Sequence, residues 1–397
     1  MKISYHTLGC KLNWAETEEL KKELEKMGQI TVPFLTDEKI TIIRACGVTM
    51  DASKTTREII RRAKKMGKIV IALGCLENKN LPEIDYTLPN NEATIEMVMN
   101  IIESEPTQKK TKTKATLNRT RAFLKIQTGC NFSCAYCIIP RFRGRTESIP
   151  AKEIIKKIKE LEKEKYKEVT LTGVNICLYR DDKTDLTGLL KKILKNTKIE
   201  RIRLGSLDPR LISDALIKLY PQERLMPHWH LSLQSGSDTV LQRMRRGYTA
   251  KQYSMIVEKL KKRYPLFSFT TDIIVGFPEE TEKEFLETEK FVGEIEFSKV
   301  HIFPFSPRPD TLAHEMKKQI QDSLKKERCA QLRKTSEKIA QKFIKQFISL
   351  KKPVLFENKQ EKLWEGYTPE YLRVTKKSNR NLHNKIISVK LDKNNLK

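Results

Sequence analysis

No apolar stretch in these 397 residues approaches the roughly 20 needed to cross a bilayer, which excludes a helical membrane anchor within them. The first residues, Met1-Lys2-Ile3-Ser4-Tyr5, lack the apolar core of a signal peptide, and the expectation is a cytosolic chain. Tryptophan is scarce, three in all, yet a hydrophobic fraction of 39% is that of a globular protein rather than a disordered one. Two or three domains with their own cores fit this length. Acidic residues run short as well: 50 Asp and Glu stand against 77 Lys and Arg, a formal charge of +27. That excess suits a polyanionic partner, whose counterions are released on binding, and equally a solvated lysine-rich surface. Between Thr107 and Arg121 there are six basic residues and no acidic one, without apolar periodicity. A basic linker over 106–121 is expected there.

Eight cysteines in a cytosolic chain argue for metal or redox chemistry rather than structural disulfides. Cys130, Cys134 and Cys137 form one tight group. Cys10, Cys46 and Cys75 are dispersed, and Cys177 and Cys329 stand alone, as small buried hydrophobes would.

The first hundred residues alternate strand and helix. Ser4–Leu8, Lys39–Ile43 and Ile69–Leu73 read as strands, with a helix over about 53–66 stopped by Gly67. Asn13 reads as a helix cap, with Glu16 completing a capping box. Each dispersed cysteine falls just past a strand's carboxyl end. In an open parallel sheet those ends share one edge, where ligands bind. From Phe123 six β–α units follow, with strands at Phe123–Ile126, Val169–Leu171, Ile202–Leu204, His230–Leu233, Phe269–Val275 and Val300–Phe303. They suggest a partial (β/α)6 barrel with chemistry at the strand carboxyl ends. A long helix over about 323–350 closes it, and Pro353 breaks the pattern. Short alternating strands then imply a small all-β module, and from Lys345 the tail carries 13 basic and 5 acidic residues. The expected architecture is α/β: a parallel-sheet domain over 1–105, the barrel over 122–350 and a small β-barrel over 351–397.

Cys130-Asn131-Phe132-Ser133-Cys134-Ala135-Tyr136-Cys137 carries the clearest chemistry. Thiolates select zinc, copper(I) or iron–sulfur clusters. Structural zinc wants four closed ligands, and no fourth Cys or His lies nearby. Three cysteines on one short loop suit a [4Fe–4S] cluster with one iron left open. His228 and His230 share a strand face, an arrangement more often packing than metal binding. Gly173 and Asn175 at a strand end fit a turn with Asn as cap, and Gln234 can be purely structural.

With Tyr136 before its last cysteine and a barrel behind it, this loop resembles the radical S-adenosylmethionine superfamily. Thr7-Leu8-Gly9-Cys10-Lys11-Leu12-Asn13, Cys46-Gly47-Val48-Thr49 and Gly74-Cys75 resemble the amino-terminal domain of its methylthiotransferases. Leu171–Asn175, His230–Ser237, Asp272–Pro278 and Phe305–Pro309 match further, and the tail is similar to the RNA-binding TRAM barrel. The resemblance implies two [4Fe–4S] clusters, one on Cys130, Cys134 and Cys137, the other on Cys10, Cys46 and Cys75. It implies S-adenosylmethionine beside Tyr136, Gly173, Asn175 and Gln234, with Lys351, Lys352, Arg373 and Lys376 as phosphate contacts. The implied partners are a tRNA anticodon loop and an electron donor such as flavodoxin or ferredoxin. Thr7–Lys11 and Leu363-Trp364-Glu365-Gly366-Tyr367 look most like the branch acting on N6-threonylcarbamoyladenosine at position 37 of tRNA, at C2. Rivals are the isopentenyladenosine branch, the branch modifying a ribosomal-protein aspartate, and a non-catalytic iron–sulfur RNA-binding protein. The chain departs from the family pattern at Arg44-Ala45, Cys177, Glu279 and Arg145-Thr146-Glu147.

Overall fold

A computed structural model describes residues 1–34, 38–76, 81–88, 93–104 and 120–396. Of the expected linker over 106–121, all but Thr120 and Arg121 lies outside the described residues. Strands β1 (Lys2–Thr7), β2 (Ile30–Pro33), β3 (Ile40–Ala45), β4 (Ile69–Gly74) and β5 (Tyr86–Thr87) are parallel, in the order β2-β1-β3-β4-β5. Every residue of β3 is buried, because helices cover both faces of the sheet. Helices α1 (Lys11–Lys26) and α3 (Ala93–Ser104) set Leu20, Leu24, Val98 and Ile101 on one face. Helix α2 (Met50–Lys65) sets Ile60 and Ala63 on the other.

The capping reading of Asn13 is overturned. Helix α1 starts three residues earlier, with Cys10 at the cap position, and Asn13 lies buried in its first turn. Its amide donates to the carbonyls of Leu8 (2.7 Å) and Ala45 (3.0 Å), so it ties two strand ends instead of capping.

The chain next forms β6 (Arg121–Lys125). A clip of β7 (Gln127–Thr128) against β8 (Glu147–Ser148) follows, with α4 (Ile139–Arg143) between its strands. Helix α5 (Ala151–Lys163) leads to β9 (Glu168–Thr172). The hairpin of β10 (Arg180–Asp181) and β11 (Thr184–Asp185) precedes α6 (Leu186–Asn196). Then come β12 (Arg201–Leu204), β13 (Ser206–Leu207), α7 (Asp214–Ile217), β14 (His228–Leu231), α8 (Asp238–Arg243) and α9 (Ala250–Arg263). The series ends with β15 (Ser268–Val275), α10 (Glu282–Ile295), β16 (Lys299–Pro304), α11 (Leu312–Glu315) and α12 (Asp322–Lys345). Only Gly205 separates β12 from β13, so six parallel positions run in chain order: β6, β9, β12 with β13, β14, β15 and β16. This is the partial (β/α)6 barrel. Helix α1 packs on β6 at its open edge.

Strand alternation divides the barrel's contents. In β12, Ile202 and Leu204 join the apolar core with Ile154, Leu189 and Trp229, while Arg201 and Arg203 are buried among charges. Arg203 pairs with Glu168 at 3.0 Å. Strand β14 begins two residues earlier than the expected His230. Past Leu231 the chain leaves the ladder, and Gln234 takes a φ of +75°.

Strands β17 (Lys351–Gln360), β18 (Leu363–Tyr367), β19 (Arg373–Lys377) and β20 (Ile386–Lys390) form a curled antiparallel sheet in the order β19-β18-β17-β20. Its core of Val354, Phe356, Trp364 and Val374 includes Phe343 and Phe347 from the end of α12. The sheet sits against the barrel floor. Arg201 donates to the carbonyls of Tyr367 and Pro353, and Arg203 to that of Pro369. The Tyr371 ring lies 4.5 Å from the Arg203 guanidinium and 5.0 Å from the His228 ring. No helix among the described residues is long and apolar enough to cross a membrane.

At Glu279, where the family pattern has glycine, the backbone φ is +67°. Left-handed backbone costs a residue with a Cβ about 1 kcal/mol or more. Glu279→Gly is expected to raise stability by up to about 1 kcal/mol, read as a higher midpoint in chemical denaturation.

Candidate active site

The sheet order places the ends of β1, β3 and β4 side by side, and Cys10, Cys46 and Cys75 with them. Gly9 makes the first turn possible. Its φ is +88°, and a Cβ there would sit 2.9 Å from both Cβ and Sγ of Cys46. On the barrel side, the clip of β7 and β8 holds the other cysteine loop. Cys130 N donates to Gly144 O (3.1 Å), Ala135 N to Met244 O (3.0 Å), and Ala313 N to Ala135 O (2.8 Å). Thr146 N donates to the Asn131 side chain at 3.0 Å, so the segment that departs from the family pattern braces this loop.

Both cysteine sets open onto one cavity of about 650 Å³. All six sulfur-bearing residues line it, as do Tyr136, Gly173, Asn175 and Gln234. Its wall therefore joins two segments of chain about 55 residues apart at their nearest cysteines, Cys75 and Cys130. Cys177 and Cys329 are buried elsewhere; the Cys177 sulfur accepts from Asp208 N at 3.4 Å.

Burial pushes the Cys137 thiol up to about 12 and raises those of Cys46, Cys75 and Cys130. Such sulfurs surrender their protons when a cation takes their place. Positive charge already stands beside each set: Arg143 Nε donates to Cys75 Sγ (3.3 Å) and Arg246 Nη1 to Cys134 Sγ (3.4 Å). Among the described residues no three His, Cys, Asp or Glu side chains form a group that could hold a single metal ion. A [4Fe–4S] cube is held otherwise, each thiolate on its own iron, and three thiolates per set without a fourth leave one iron open. The donor set fits that group.

Sequence reasoning missed Asp208, Arg210 and Arg246. Asp208 and Arg210 follow the carboxyl end of β13, a position the strand-end rule would have marked. Arg246 comes from the turn after α8, where no local pattern points to it. Asp208 accepts from Arg210 (2.5 Å), and its carboxyl is held below the usual range by these arginines despite its burial. Asn175 serves as both cap and wall: its side chain accepts from Cys177 N at 3.2 Å while it lines the cavity. The Thr270 hydroxyl lies between the rings of His228 and His230 at 3.2 and 3.1 Å, and His230 pairs with Asp272. Arg44 is buried against Glu16 at 3.1 Å. In the tail, Lys351, Arg373 and Lys376 are exposed, and Arg373 pairs with Glu365. Lys352 differs: its ammonium sits against the buried Glu370 at 2.5 Å, beside the barrel's Tyr264.

Residues 124–292 match a family model described as the radical SAM superfamily, and residues 2–115 one described as uncharacterized protein family UPF0004. The threonylcarbamoyladenosine tRNA methylthiotransferase MtaB of Bacillus subtilis (strain 168) is 33% identical over 98% of this chain and 93% of its own. The protein of that name from Aquifex aeolicus (strain VF5) is 36% identical over 86% and 90%. A tRNA-2-methylthio-N(6)-dimethylallyladenosine synthase of Dictyoglomus thermophilum is 33% identical over 77% and 76%. Among solved structures, the radical S-adenosylmethionine methyltransferase TsrM from Kitasatospora setae gives a TM-score of 0.61 at 11% identity. It covers 79% of this chain and 77% of that one, a likeness of fold alone.

Proposed function

The chain belongs to the radical S-adenosylmethionine tRNA methylthiotransferases, and we propose that it modifies C2 of N6-threonylcarbamoyladenosine at position 37, beside the anticodon. Enzymes of this family use S-adenosylmethionine and carry two [4Fe–4S] clusters. When bound, these groups supply the radical that removes hydrogen from a carbon and the sulfur that replaces it. The chain's own residues hold and aim them. Cys130, Cys134 and Cys137 hold the cluster with the open iron; Cys10, Cys46 and Cys75 hold the second. Tyr136, Gly173, Asn175 and Gln234 form the wall for S-adenosylmethionine. At Gly173 a Cβ would meet Gln127 O at 2.7 Å, so the wall stays flat there.

One observation carries the reading: both cysteine sets face a single cavity, so hydrogen removal and sulfur delivery can address one base. The adenine must leave its stack to enter, which costs least in a single-stranded loop. The threonylcarbamoyl assignment is supported by the names of the Bacillus and Aquifex relatives and by the motifs Thr7–Lys11 and Leu363–Tyr367. The dimethylallyladenosine relative favours the second reading, isopentenyladenosine. Nucleoside mass analysis of tRNA from cells with and without the gene separates the two. Loss of the methylthio form of threonylcarbamoyladenosine supports the first; loss of the isopentenyl form refutes it. Reducing equivalents come from a flavodoxin or ferredoxin.

The curled tail sheet is the proposed tRNA grip. Deleting it would uncover Phe343 and Phe347 and remove the carbonyls that Arg201 and Arg203 reach in the tail, so surface changes test it better. Lys351 and Lys376 are exposed. Their double reversal to Glu is expected to weaken tRNA binding about tenfold or more and flatten the salt dependence by about 2 in log–log slope. 5′-Deoxyadenosine formation without tRNA is expected to stay unchanged. Filter binding across a salt series reads the effect.

A further inference from the structure

Arg143 ends α4, six residues beyond Cys137, yet its guanidinium lies wholly within the amino-terminal domain's contacts. Its side chain is 2% exposed. Nη1 donates to Glu16 Oε1 (2.9 Å), and Nη2 to Asn13 Oδ1 (2.6 Å) and Glu16 Oε2 (3.1 Å). Nε donates to Cys75 Sγ (3.3 Å). Asn13 passes the connection on, to Leu8 O and Ala45 O, the carbonyls just before Gly9-Cys10 and Cys46. One cation from the radical-generating loop thus touches the Cys75 sulfur and reaches the turns bearing the other two through a single intermediary, Asn13. Glu16 shares its charge with Arg44, so it does not cancel the guanidinium alone.

We propose that Arg143 is the positioning residue of the auxiliary cluster, setting its reduction potential through a charge-assisted N–H···S bond to Cys75. The inference rests on the reading that Cys10, Cys46 and Cys75 hold that cluster. Hydrogen bonds to cluster sulfurs and nearby positive charge favour the more negative, reduced state and raise the potential. The Arg143 side chain and its partner Glu16 are buried, so screening of their charges is weak.

The test is a spectroelectrochemical titration of the full-length protein carrying both clusters, followed by electron paramagnetic resonance. The auxiliary wave is the one that Cys75→Ala removes. Arg143→Gln loses the charge and the sulfur bond, and its auxiliary wave is expected to fall by about 59 mV, a tenfold change in the oxidised-to-reduced ratio for one electron. Arg143→Lys keeps the charge but loses the sulfur bond, and a shift of roughly threefold in that ratio is expected. The wave of the Cys130 loop should stay in place in both. If Arg143→Gln fails to retain the cluster, Arg143→Lys decides by itself. An auxiliary wave at the wild-type potential in the variants that retain the cluster overturns the proposal. A single wave in the wild-type protein overturns the two-cluster reading instead.

Discussion

Cys46→Ala protein, reconstituted with iron and sulfide, is expected to go on converting S-adenosylmethionine to 5′-deoxyadenosine while making no methylthio nucleoside. Cys134→Ala is expected to lose both activities entirely. The asymmetry follows from placement. Cys46 stands at the end of β3 in the parallel sheet, and Cys134 on the loop clipped by β7 and β8. Each domain builds its cysteine turns with hydrogen bonds of its own; the two meet across the cavity, through Arg143, where α1 packs on β6, and at polar pairs such as Arg308 with Ser53 (3.2 Å). Removing one sulfur from the amino-terminal set therefore leaves the S-adenosylmethionine wall intact. Each variant should hold roughly half the wild-type iron, because each loses one of two clusters. Circular dichroism must show both folded, since a lost cluster can unfold its loop. Methylthiolated tRNA from folded Cys46→Ala would remove the sulfur role from the amino-terminal set.

Gly129→Ala is expected to abolish 5′-deoxyadenosine formation, with the auxiliary cluster retained. Gly129 has a φ of +67°, and a Cβ there would lie 1.8 Å from the carbonyl oxygen of Arg145. That oxygen is backbone, in the segment bracing the cysteine loop, so the contact cannot be relieved by turning a side chain. Either the Cys130 turn or the Arg145 segment must move. Gly144→Ala is the matched control: it has the same φ of +67° but nothing within 4 Å of the added Cβ. With its ψ of −159° this backbone is nearly confined to glycine, so the change should cost up to about 3 kcal/mol of strain and still keep most of the activity. Equal loss in both variants would mean that conformation, not the close approach, is what Gly129 supplies. The iron content and 5′-deoxyadenosine yield of the two purified proteins distinguish these outcomes.

The strands and the gathering of Cys10, Cys46 and Cys75 were legible because both rest on local patterns: apolar runs of strand length, each ended by a cysteine turn. Parallel pairing then aligned the ends. The six barrel strands were legible for the same reason. What local patterns could not carry is the use made of side chains by distant partners. Asn13 has the spacing of a cap, but Leu8 O and Ala45 O claim its amide. Arg143 and Glu16 are 127 residues apart, and no periodicity links them. Arg201 and Arg203 break an apolar strand pattern because they reach the tail's carbonyls across the barrel floor. Lys352 reads as a surface cation, and Glu370 draws it inward.

The most direct test of the account is to incubate the anaerobically reconstituted protein with S-adenosylmethionine, a low-potential reductant and tRNA bearing N6-threonylcarbamoyladenosine, then digest the tRNA and weigh its nucleosides. The account predicts that the modified adenosine gains the mass of a methylthio group in place of one hydrogen, with 5′-deoxyadenosine formed alongside. Protein that holds both clusters and releases 5′-deoxyadenosine, yet leaves that nucleoside's mass unchanged, would contradict it.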